Sequence, residues 1–99
     1  MGHLYRLDGH NTVPVESAEE WAQAFSDRKK RRVARTELGT VVVSTVFLGI
    51  DHGFGTGRPV LFETMVFGGE HDEYQERCCT WDEAEAMHAR VVGMVRGEW

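Results

Sequence analysis

Two apolar runs, Val41 to Leu48 and Val60 to Phe67, dominate the hydrophobic pattern of the chain. Both are dense in β-branched and aromatic residues and are closed off by Gly and Pro, as strands are. Their apolar residues fall on both faces, which predicts central places in one sheet. The segment Arg32 to Leu38 alternates instead, with Ala34, Thr36 and Leu38 to one side and Val33, Arg35 and Glu37 to the other. Leu38-Gly39-Thr40 reads as a tight turn, so this strand pairs antiparallel with 41–49. After a turn at Gly68-Gly69-Glu70-His71, the mostly polar run Asp72 to Cys79 reads as an outer strand.

Helical spacing appears twice. Ser17 and Glu20 make a capping-box pattern, and Ala18, Trp21, Ala22 and Phe25 share a face, which predicts a helix running to about Arg28. Thr80-Trp81-Asp82-Glu83 is a second box, followed at helical spacing by Ala84, Met87, His88, Val91, Met94 and Val95 up to Gly97. Ahead of these, His3 to Leu7 predicts a short strand, Asp8 to Asn11 a turn, and Val13-Pro14-Val15 an extended segment. The order strand, helix, four strands, helix predicts an α+β domain with one antiparallel sheet of four or five strands and both helices on one face. A sheet face left bare by those helices would favour a homodimer.

A chain of 99 residues is one domain with one core. Nothing in it approaches the roughly 18 consecutive apolar residues of a membrane span, and Met1 to Arg6 has no apolar signal region, so the expected location is the cytoplasm, away from membranes. Cys78 and Cys79 are adjacent, leaving no loop worth closing. They are expected to be reduced, one buried and one exposed. The net charge of −5 hides a segregation: six cations against one carboxylate give residues 27–35 a net +5, leaving −10 elsewhere. Such a run grips polyanions or is simply a solvated helix end. The acidic remainder would repel a duplex, so nucleic acid is not the expected partner.

Candidate chemistry gathers at one end of the meander. Successive turns alternate between the two ends of such a sheet, so the loop 50–59 shares an end with the start of the second strand and with the N-terminus of the last helix. Arg31 and Arg32, the loop residues His52, Gly53, Gly55, Gly57 and Arg58, and Thr80 would form an anion or partner site there, with glycines letting backbone N–H groups approach a phosphate. An ordinary hairpin connection explains the same glycines, because nucleotide-binding glycine loops join a strand to a helix. His52 and His71 fall at opposite ends, so no metal is expected, and no cofactor. Glu63 stands alone among apolar neighbours; burial would suit it to acid–base work and a partner such as Arg35 would not. No catalytic triad is present, and no catalytic residue is assigned.

Four stretches, Val33 to Glu37, Val43 to His52, Leu61 to Gly69 and Thr80 to His88, together resemble a group of short uncharacterised proteins of bacteriophages and high-GC Gram-positive bacteria. The resemblance spans roughly residues 33–95. It implies a small accessory protein, in the host cytoplasm if phage-encoded, and brings no activity or site with it. The expected function is therefore a non-catalytic binding module for a protein partner. The alternative is capture of a small phosphorylated ligand at the basic, glycine-loop end, and a minor enzyme built on Glu63 and the His52 loop stands third.

Overall fold

The computed structural model describes residues 3–53 and 57–98. The chain enters as a hairpin, β1 (Tyr5–Asp8) and β2 (Asn11–Pro14), and continues into helix α1 (Ala18–Phe25). Ser17 caps that helix by accepting from the Glu20 amide at 3.2 Å. The helix ends three residues short of Arg28. Ser26 Oγ donates to the Gln23 carbonyl at 2.9 Å, and Asp27 accepts from the Lys29 amide at 2.9 Å, which starts a separate turn, α2 (Arg28–Arg31). Short polar side chains that bond the local backbone compete with helix continuation.

Strands β3 (Arg32–Leu38), β4 (Val41–Phe47), β5 (Phe62–Phe67) and β6 (Gln75–Cys78) then form an antiparallel meander in the order β3-β4-β5-β6, and helix α3 (Trp81–Val95) closes the fold. The α+β class and the central β4–β5 pair are as the sequence predicts. β6 is shorter than expected, because residues 70–73 turn and the Asp72 and Tyr74 amides bond back to Gly69 and His71.

Register assigns each side chain to a face. Pairs Val43↔Val66, Thr45↔Thr64 and Phe47↔Phe62 point one way, and all six residues are buried. α3 packs against all four strands and lays Ala84, Met87, His88, Val91 and Met94 on this face. Val43 and Val66 pack with Met87 and Val91; Phe47 and Phe62 pack with Leu61 and Ala84. Burying one such side chain contributes about 1.5–3 kcal/mol, so this layer is the main source of stability.

The first two strands do not make the sheet five-stranded; they pair with each other in a separate sheet. The reason lies along one flank of β4. β3 holds that flank as far as the pair Arg32↔Val46, and β1 takes over beyond it, with the Tyr5 amide on the Gly49 carbonyl and the Asp51 amide on the His3 carbonyl, both at 2.9 Å. A bulge between Arg32 and Ala34 marks where the first partner leaves. At the junction α1 closes over the end of β4: Trp21 Nε1 donates to the Gly49 carbonyl at 2.9 Å, and Phe25 joins the Phe47 cluster. Gly49 has φ of 76°, and a Cβ there would run into the Phe25 ring, so no other residue fits.

Candidate functional site

The second face of the sheet is covered by no element among the described residues. Its rows follow from the register: Arg32–Val46–Glu63–Arg77, then Arg35–Ser44–Met65–Gln75, then Glu37–Val42–Phe67. Val42, Val46 and Met65 are half-buried, and Phe67 is 49% exposed. The centre is thus apolar and the rim charged. Glu63 is neither deeply buried nor paired with Arg35: Arg77 Nε donates to it at 3.0 Å, while Arg35 turns to Glu37. Arg32 has no ion-pair partner among the described residues, and Arg28 and Lys29 precede it, so the β3 side of this face is cationic.

The end of the sheet with the 50–59 loop is organised differently. Arg58 donates to Glu83 at 2.8 Å, and Glu83 also accepts from the backbone amides of Cys79 (3.0 Å) and Thr80 (3.2 Å). Thr80 Oγ1 accepts in return from the Glu83 amide at 3.2 Å, completing the capping box. The Arg58 guanidinium, with the Cys79 amide second, holds the Glu83 carboxyl below its usual range. The positive end of α3 is therefore already matched by a carboxylate of its own first turn.

Asp51 gathers the loop by accepting from the amides of Gly53 (2.7 Å) and Val60 (2.9 Å), bonds that keep it ionised to lower pH than usual. His52 Nδ1 lies 2.8 Å from the Ile50 carbonyl, and Gly57 adopts φ of 109°. Gly55 lies outside the described residues. Of the proposed anion cluster, Arg58 and Thr80 do meet, through Glu83, and His52, Gly53 and Gly57 belong to the same loop. Arg31 and Arg32 stand on the β3 side, three strand spacings or about 14 Å from β6. Arg31 turns onto the Phe25 ring, its Cζ 3.9 Å from the centroid.

Other candidate groups are structural. His88 is 7% exposed; its Nε2 lies 2.8 Å from Thr36 Oγ1 and its Nδ1 2.7 Å from Thr45 Oγ1, which continues to Thr64 at 2.5 Å. Burial pushes its pKa below 6.5, so it is a neutral core residue. His71 sits in the β5–β6 turn at the far end of the sheet from His52, and His10 stacks on Trp81 at 4.0 Å. No three His, Cys, Asp or Glu side chains among the described residues group as metal ligands. Both cysteines are free and half-buried, which corrects the expected split into one buried and one exposed. Burial pushes the Cys78 thiol up to about 11, far from a reactive thiolate. No helix among the described residues is long and apolar enough to cross a membrane.

Comparison of the chain with family models, with curated proteins and with solved structures finds no match. Val42, Met65 and Phe67 were not singled out in the sequence as surface residues, because β4 and β5 read as apolar on both sides. The available signal was β3: Arg35 and Glu37 face solvent, and antiparallel pairing carries that face onto Ser44 and Val42 and then onto Met65 and Phe67.

Proposed function

We propose that this chain is a non-catalytic binding module that engages a protein over the open face of its sheet. The observation that supports the reading is the Val42–Val46–Met65–Phe67 stripe along two central strands, half-buried at its first three residues and exposed at Phe67, while α3 packs on the opposite face. Contiguous apolar surface with a charged rim is what protein interfaces use. The cationic β3 side selects the partner's chemistry: an apolar centre with an acidic flank beside Arg32. The resemblance to short proteins of bacteriophages and high-GC Gram-positive bacteria accords with an accessory protein acting in a host cytoplasm. A phosphorylated ligand at the glycine-loop end has weaker support, because Glu83 occupies Arg58 and the amides there.

The test is capture from a host lysate with a photo-cross-linking residue at position 67, against a control at Glu85 on the exposed side of α3. A partner that cross-links only from position 67, weakens as salt rises, and is lost on Met65→Glu and on Arg32→Glu supports the module. Cross-linking to a second copy of the chain, or capture indifferent to both substitutions, refutes it.

A further inference from the structure

A cavity of about 180 Å³ lies between β1, α1, α2 and the end of β4. Its wall is aromatic on one part, with Tyr5, Phe25 and Phe47, and cationic on another, with Arg6, Lys30 and Arg31. None of the three cations has an ion-pair partner among the described residues. Asp27 is the one carboxylate on the wall, and it is engaged by the Lys29 amide at 2.9 Å. Arg31 is held over the Phe25 ring, and its Nε is buried without a hydrogen-bond partner. Guanidinium N–H groups are rarely left so when buried, since each lost partner is costly.

We propose that this cavity is a binding site for a small planar organic anion, a single aromatic ring carrying one carboxylate or phosphate. Its size sets the upper limit: an apolar cavity of on the order of 150 Å³ takes one benzene ring, and drug-sized ligands need roughly 300 Å³ or more. A ring with one acidic group fits; a whole nucleotide does not. Tyr5 offers the ring an aromatic partner, since Phe25 is already stacked on Trp21 and capped by Arg31, and a guanidinium with a nearby ammonium supplies the charge-assisted bonds that an acid group needs. Two of the cations, Lys30 and Arg31, belong to the basic run at 27–35, and Arg6 joins them from β1. The site lies apart from the open face, and either can fail without the other.

The experiment is titration of the whole protein with benzoate, phenyl phosphate, benzamide and inorganic phosphate to about 10 mM, a range suited to ligands of so few atoms, followed by amide NMR. Benzoate, phenyl phosphate or both shift residues 5–7 and 23–31 saturably, and which one does so identifies the acid group. Benzamide and inorganic phosphate bind at least about tenfold more weakly, since each lacks half of what the site recognises. Lys30→Glu, at an exposed position, weakens the active anion by about tenfold or more; Arg6→Glu provides a second variant should the first unfold. The proposal is overturned if neither aromatic anion binds in that range, if benzamide binds as well as benzoate, if the shifts map to another region, or if folded charge-reversed variants bind unchanged.

Discussion

Alternate residues of the same strands build the two faces of the sheet, and the faces have opposite roles. On one, Phe47, Phe62, Val43 and Val66 are sealed under α3; on the other, Val46, Met65, Val42 and Phe67 meet no covering element. The apolar content of the two sets is similar. What separates them is the helix, whose apolar stripe is wide enough for one face only. Hydrophobicity along a strand thus does not say which of its faces its own chain covers.

The largest expected contrast is in folding stability. Phe62→Ala should cost about 3–5 kcal/mol in denaturant unfolding, a large share of the roughly 5–15 kcal/mol typical of a domain, whereas Met65→Ala should cost far less in the monomer. Equal losses would mean that the second face is covered after all. A smaller effect is expected from the polar members of the covered face. Thr45→Val removes a partner from both His88 and Thr64, and should cost about 1–3 kcal/mol by urea melting.

The same network gives a pH signature. His88 is kept neutral by burial, so below pH 6.5 the unfolded chain binds the extra proton more readily than the folded one. Its effect on stability is absent above pH 6.5 and grows as pH falls below that value, levelling once the folded group also protonates. His88→Gln should remove the decline just below pH 6.5. A later decline should remain: Arg90 holds Glu76 below 4.5, so the stability this carboxylate contributes is present above that pH and is lost as pH falls through its depressed folded value. An unchanged profile in His88→Gln would refute the assignment.

Between the two faces in magnitude lies the cap of α3. Thr80→Ala should lower stability by about 1 kcal/mol in a thermal melt. Smallest of all is Phe67→Ser, expected to change monomer stability by no more than about 0.5 kcal/mol while weakening partner capture. A large destabilisation there would show that Phe67 is a core residue and sharpen the boundary between the faces.

Much of this architecture was legible in the sequence. The twin apolar runs, the Thr80–Glu83 box and the β3 alternation from Ala34 to Leu38 each map onto an observed element, because each depends on neighbours within a few residues; Val33, expected on the solvent side with Arg35 and Glu37, packs instead against the Phe47 cluster, because the register shifts between Arg32 and Ala34. What was not legible depends on competition. Asp27 could extend the first helix or start another turn, and its bond to Lys29 decides the outcome. Likewise β1 had the pattern of a sheet strand, but whether it or β3 takes the flank of β4 depends on three segments at once. The candidate anion end was half legible: topology brought Arg58 to Thr80, while the carboxylate that neutralises it, Glu83, had been counted only as half of a capping box.

The handover from β3 to β1 along β4 also bears on how copies of this molecule can meet. With Gly49 and Asp51 already bonded to the entering segment, the stretch that continues β4 shows no free main-chain ribbon on that side. The remaining outer strands are poor templates, one bent by a bulge and bearing cations, the other only four residues long. Polymerisation by strand addition is thereby discouraged, and whatever binds this protein through its sheet is directed to lie flat on it rather than to lengthen it.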